Sequence, residues 1–304
     1  MPAHVFHVGY PKAASTYLQR WFEAHPAVRY RPFGIAGHHG TWGFLADVPL
    51  QAEPPPCAVT SDERFVFPVT HDAIGLNADG RVWASGAWVA EQQARVCAGL
   101  HALRPESRVL IVTRGFAGII RSTYTQYLRL GGRERFGDFL ALTEPFWPHY
   151  LDYSRVVGLY EAAFGRENVT ALPYELLEDD APAFRTAVAE VLGVEAGAYD
   201  PGRPNASFDA RRAEGVRRTS VAVAAVAGLL PSRARRRAFG AYQLGWAYRE
   251  RGVALARLVG RRGAEDGAEA QLTQQAEALS GCAAGLEHRP FYPAYWAAYA
   301  PARG

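Results

Sequence analysis

Short continuous apolar runs alternate with stretches of helical spacing through the first two-thirds of the chain, and this alternation predicts a parallel sheet covered by helices. His4 to Val8 reads as the first strand and Thr16 to Ala24 as the first helix, stopped near Pro26. An irregular stretch rich in Gly, His and Trp ends in Pro54-Pro55-Pro56, and Cys57 to Thr60 then reads as a second buried strand. Glu91 to Leu103 has helical periodicity, closed by Pro105. Val109 to Thr113 is the clearest strand, an unbroken apolar run of the kind that fills a parallel sheet interior.

A helix is expected from about Ala117 to Leu130, ended by Gly131-Gly132, which supply the permissive backbone of a C-cap. Asn168 to Leu172 is a fourth strand and Ala181 to Leu192 a helix. Beyond Arg211 the pattern is helical and basic, and Arg289 to Tyr299 is crowded with aromatics and proline. No repeat or linker divides the chain. One α/β domain is expected over residues 1–304, with a core over about 1–207 and a basic helical part over about 208–304 packed on it.

With 304 residues and 49% hydrophobic composition the chain can bury a large core. Cys57, Cys97 and Cys282 lie far apart without ligand spacing, so neither a disulfide framework nor a metal site is expected. The first residues run straight into an apolar strand without a leader pattern. The longest apolar run, Val221 to Leu230, is about half the ~20 residues a bilayer span needs. The expectation is a soluble, cytoplasmic protein.

Net charge is +3, unevenly spread: Arg203 to Arg262 holds fourteen arginines against Asp209, Glu214 and Glu250. Such a block faces solvent, a polyanion or an anionic membrane surface. Of 33 basic side chains only Lys12 is lysine. An ammonium kept where arginine is otherwise universal suggests a compact point charge for a phosphate-type group. Lys12 lies in Gly9-Tyr10-Pro11-Lys12-Ala13-Ala14-Ser15-Thr16, between the first strand and the first helix, where free amides and the helix dipole favour an anion. The loop nearly fits G-x-x-x-x-G-K-[ST], but Ala14 and Ser15 replace the second glycine and the lysine. A nucleoside triphosphatase also needs a magnesium-holding acid after a neighbouring strand, whereas Val109 to Thr113 runs into Arg114. Ser122 follows eight residues later, so guanidinium and hydroxyl can hold one phosphate. Two anion sites on one sheet edge imply a ligand with phosphates at both ends.

On these residues the chain resembles the PAPS-dependent sulfotransferases, whose 5′-phosphosulfate loop reads approximately P-[KR]-x-G-[ST]-[ST] after a strand. Pro11-Lys12-Ala13-Ala14-Ser15-Thr16 matches it except at Ala14, where glycine is usual. Arg114 and Ser122 match the family's 3′-phosphate element in spacing, although Phe116 stands where proline is common. Tyr174-Glu175-Leu176-Leu177 is similar to the Y-E-x-L segment whose tyrosine lies near the adenine, and Asn205-Ala206-Ser207 resembles an N-x-S stretch of bacterial and carbohydrate-type members. The R-K-G-x-x-G lid of the steroid and phenol enzymes is absent, which leaves Arg203 to Arg218 as the candidate lid.

The resemblance implies a P-loop-NTPase-like α/β sulfotransferase fold, PAPS as donor with adenosine 3′,5′-bisphosphate (PAP) as product, and no metal. It assigns the 5′ end to Lys12, the amides of Ala13, Ala14, Ser15, Thr16 and Tyr17 and the hydroxyls of Ser15 and Thr16, the 3′-phosphate to Arg114 and Ser122, and the adenine to Tyr174. Sulfuryl transfer needs a base within reach of the acceptor. Glu63, in Thr60-Ser61-Asp62-Glu63, is similar to the S-S-E glutamate of bacterial and glycan-modifying members and is the first candidate. His71, in Thr70-His71, is the rival, with Asp62 behind both. Trp42, Trp83, Trp88, Phe116, Tyr124 and Tyr127 are candidates for an acceptor pocket or for the core, and Arg129 for an acceptor anion. The acceptor is expected to be a small molecule, a carbohydrate or a lipid-linked group rather than nucleic acid, with peripheral membrane contact open to the basic C-terminal helices. Competing readings are a P-loop small-molecule or nucleoside kinase and a non-catalytic nucleotide- or polyanion-binding module.

Overall fold

The computed structural model describes residues 3–32, 34, 56–66, 86–202, 208–242 and 266–301. Five strands form one sheet: β1 (Ala3–Gly9), β2 (Val28–Arg29), β3 (Cys57–Ser61), β4 (Arg108–Thr113) and β5 (Val169–Pro173). They run in the order β2-β3-β1-β4-β5, and every neighbouring pair is parallel. Val109 to Thr113 is wholly buried, as expected of a central strand covered on both faces. This is the α/β architecture read from the apolar runs.

The longer helices are α1 (Ser15–Ala24), α2 (Gly86–Leu103), α3 (Phe116–Arg129), α4 (Phe136–Thr143), α5 (Tyr153–Phe164), α6 (Tyr174–Asp179), α7 (Ala181–Leu192), α8 (Ala210–Gly228), α9 (Ser232–Tyr242) and α10 (Asp266–Ala278). α5 packs on β4 and β5, and α7 on β1 and β4. α3 ends as its glycines predict. The Gly132 amide donates to the Tyr127 carbonyl at 2.9 Å and Gly131, at φ 90°, to that of Leu128 at 2.9 Å, which together make a Schellman cap.

Two histidines interrupt the apolar run of β1, and both tie it sideways. His4 bonds Ser107 at 2.8 Å and Thr60 at 2.9 Å; His7 bonds Ser61 at 2.7 Å. Burial pushes both imidazoles down to about 3, so they are neutral partners of the sheet at physiological pH.

β1 lies between β3 and β4. The chain leaves β1 toward the β2–β3 side and leaves β4 toward β5, so the order reverses between β1 and β4. Such a switch point opens a crevice at the carboxyl ends of the strands, the place where ligands bind in open α/β sheets. The register Gly9↔Val112 sets the loop after β1 beside the loop after β4.

Candidate active site

The loop after β1 is a built structure. The Ala13 amide donates to the Tyr10 carbonyl at 3.0 Å, closing a turn with Pro11 and Lys12 at its centre. Pro11 supplies the fixed φ of the first central position, and Lys12 takes the second at φ 71°. This is the signature of a type II turn, in a position that favours glycine. Ala14 is also left-handed (φ 64°, ψ 3°), and α1 begins behind it with no side-chain cap. Each such residue costs roughly 1 kcal/mol relative to an ordinary backbone, so two in three residues mark a strained loop. The Ser15 hydroxyl donates to the Tyr10 carbonyl at 3.3 Å, holding the loop against its own strand.

Lys12 points across the crevice to α3, where its ammonium donates to the Gln126 side-chain oxygen at 2.8 Å. Burial pushes its pKa down to about 8; Glu63 opposes that shift, while Arg129 and Arg114 add to it. The ammonium therefore sits in a cationic field with Glu63 as the acid acting on it. Such a field suits a multiply charged anion.

Arg114 stands at the head of the neighbouring loop. Its guanidinium donates to the Lys12 carbonyl at 2.9 Å, lies 4.2 Å from the centre of the Tyr174 ring, and comes within 4.0 Å of Glu178. A Cβ built on Gly118 would stand 3.1 Å from Arg114 Nε, so the arginine lies along the first turn of α3. Ser122, buried, is one turn further on the same face, and Gln126 one turn beyond it. One face of α3 thus presents Ser122 and Gln126 in line with the Arg114 guanidinium that lies along its first turn, with the lysine at the far end.

Glu63 opens a short turn, Glu63–Phe65, that directly follows β3. Its neighbour Asp62 is engaged: it accepts from the Arg64 amide at 2.9 Å and from the Arg64 guanidinium. The Glu63 carboxylate acts electrostatically on Lys12 and also on Tyr150.

The structure brings together Lys12, Ala13 to Tyr17, Arg114, Ser122, Tyr174 and Glu63. His71 lies outside the described residues, as do His38, His39, Trp42, Trp83 and Asn205 to Ser207. Phe116, Tyr124 and Tyr127 belong to the core: Phe116 stacks on Tyr153 at 5.3 Å, and Tyr124 and Tyr127 pack on Phe139. Their spacing on α3 turns them inward, opposite to the polar face. Within the basic block, Arg217 and Arg218 pair with Glu214, and Arg212 lies 5.3 Å from the Phe208 ring, which Arg129 of α3 also approaches at 4.8 Å. Arg233 and Arg237 are exposed. Among the described residues no helix is long and apolar enough to cross a membrane, and no cluster of potential metal ligands occurs.

Sequence reasoning missed Gln126 as the lysine's partner and the network behind Arg114. There Glu175 accepts from the Gly115 amide and from the Tyr299 hydroxyl, each at 2.9 Å. Neither contact leaves a spacing signal, because the partners lie 60 and 124 residues apart.

No protein-family model and no curated protein matches the chain. Among solved structures it is similar to a sulfotransferase from Alicyclobacillus acidocaldarius, with 17% identity over 78% of this chain and 100% of that one and a TM-score of 0.48. So distant a likeness carries no weight for function.

Proposed function

We propose that the protein is a sulfotransferase that moves a sulfuryl group from PAPS to a hydroxyl, or an amine, of a small-molecule, carbohydrate or lipid-linked acceptor. The observation that carries this reading is the hydrogen bond from Arg114 to the Lys12 carbonyl. It joins two cationic arms, each on its own strand end, at the switch point of the sheet. A nucleotide with phosphate at both ends of its ribose suits that pair. The strand end that holds magnesium through an acid in phosphoryl-transfer enzymes carries Arg114 here, which favours an anion over a metal.

PAPS supplies an activated sulfuryl group, whose bond to the 5′-phosphate oxygen breaks as the bond to the acceptor oxygen forms. Lys12, the first amides of α1 and the Thr16 hydroxyl meet the charge that grows on the departing phosphate. The Ser15 hydroxyl, expected from the sequence as a further donor to it, is committed to the Tyr10 carbonyl and holds the loop. The left-handed turn fixes that amide array before the ligand arrives, so little reorganisation is left for the reaction. Arg114 and Ser122 hold the 3′-phosphate, with Tyr174 beside the adenine. Glu63 takes the acceptor proton, with His71 as the alternative base.

The test is a thermal shift with PAP against ATP plus magnesium. Stabilisation by the bisphosphate alone is the expected result. Stabilisation by ATP plus magnesium alone would make the protein a kinase, and a response to neither would leave a polyanion-binding module.

A further inference from the structure

Three successive residues at the end of β4 are each held by a different element. The Thr113 hydroxyl shares hydrogen bonds with the hydroxyls of Tyr292 at 2.7 Å and Tyr299 at 2.9 Å. The Arg114 carbonyl accepts from the Tyr153 hydroxyl at 2.6 Å. The Gly115 amide donates to Glu175, whose other oxygen accepts from Tyr299. Tyr292 and Tyr299 are fully buried, and Tyr299 also packs edge-on against Phe116 and Tyr153. A Cβ on Gly115 would lie 2.6 Å from that of Ala298, so the backbone of the aromatic segment presses directly on the turn.

We infer that Glu175 and Tyr299 are positioning residues for the 3′-phosphate arm, clasping the backbone from which Arg114 projects. This rests on the donor reading above. The alternative use of so many buried hydroxyls is simple core packing, but a core needs no carboxylate. Here a half-buried Glu175 is retained with both oxygens occupied, one on the amide next to Arg114 and one on Tyr299. Burying an acidic group is costly, and a packing role alone would be served by an apolar side chain. The clasp fixes the rotation of the Arg114–Gly115 peptide, and hence where the guanidinium enters the crevice.

A positioning role and a merely structural one differ in what they do to two nucleotides. PAP carries the 3′-phosphate that Arg114 would hold; AMP shares its 5′-phosphate and adenosine and lacks it. We therefore compare PAP and AMP binding by calorimetry for the wild type, Tyr299→Phe, Glu175→Gln and Tyr295→Phe. Tyr299→Phe keeps the ring and its packing and removes only the hydroxyl. It should weaken PAP about tenfold, the loss expected for one hydrogen bond to a charged group, and leave AMP unchanged. Glu175→Gln should act in the same direction. Tyr295→Phe, which loses an exposed bond to Asp179 at 3.0 Å, should change neither. Equal weakening of PAP and AMP by Tyr299→Phe, or no weakening of either, overturns the clasp while leaving the sulfotransferase reading intact. A wild-type protein that binds neither nucleotide overturns both.

Discussion

The Lys12 ammonium and the Gln126 side-chain oxygen meet at 2.8 Å across the crevice, tying the loop after β1 to the helix after β4. An amide oxygen is a neutral acceptor, so it holds the cation in place yet yields it to a phosphate oxygen, which makes the stronger charge-assisted bond. Gln126→Glu puts a full charge in that place. It should lift the Lys12 pKa and weaken PAP about tenfold or more, because the ligand must then displace an ion pair. Unchanged PAP affinity in a calorimetric titration would show that Gln126 and the donor do not compete for Lys12.

The lowered pKa of Lys12, about 8 against an ordinary 10.5, gives a pH dependence with a definite sign. Below about 8 the ammonium is charged and PAP binds; above it the charge is lost and affinity should fall. Stability without ligand moves the other way. Between about 8 and 10.5 the unfolded chain holds the proton that the folded chain has lost, so this group's contribution improves as pH rises. Lys12→Met should flatten the first profile and remove the second contribution, as followed by PAP titrations and urea melts at pH 7, 8 and 9.

Ala14 pays for a left-handed backbone that glycine adopts freely. Ala14→Gly should stabilise the protein by up to about 1 kcal/mol, a gain of a few degrees in Tm. PAP affinity should be retained, since the loop shape is already the one glycine would adopt. A fall in Tm would mean that the Ala14 side chain packs more favourably than its backbone costs.

Lys12 and Glu63 should separate by the step each serves. Lys12→Ala is expected to lower turnover about 10²- to 10³-fold, the scale for losing one donor to transition-state charge. Glu63→Gln should lower it about 10²- to 10⁴-fold while PAP binds as well as before or better, because a competing negative charge near Lys12 is gone. Full turnover in Glu63→Gln together with an inactive His71→Ala would move the base to His71.

Reading the chain locally finds what is locally encoded. β1, β4 and α7 carry apolar runs or periodicity long enough to be seen, and Pro11-Lys12 and Arg114-Ser122 have spacings that point to phosphates. β2 escapes because Val28–Arg29 is too short to show a period. α5 escapes although Asp152 caps it, its side chain accepting from the Arg155 amide at 3.0 Å, a signal that was there to be read. Phe116, Tyr124 and Tyr127 are open to two readings in sequence, a pocket or, as aromatics more often do, the core. Only the helix phase relative to Ser122 and Gln126 decides. Gln126 and Tyr299 leave no such signal, and Glu175 shows only as part of a Y-E-x-L segment, because what these residues hold lies far away in the chain.

The bond between Thr113 and Tyr299 spans 186 residues. During synthesis β4 therefore leaves the ribosome long before the side chain that completes its end, and the crevice stays unfinished until residue 299 has been made. A truncated product would have most of the sheet and an unsecured centre. Proteolysis near the last aromatic turn would likewise strike at an interior strand of the sheet rather than fray its edge.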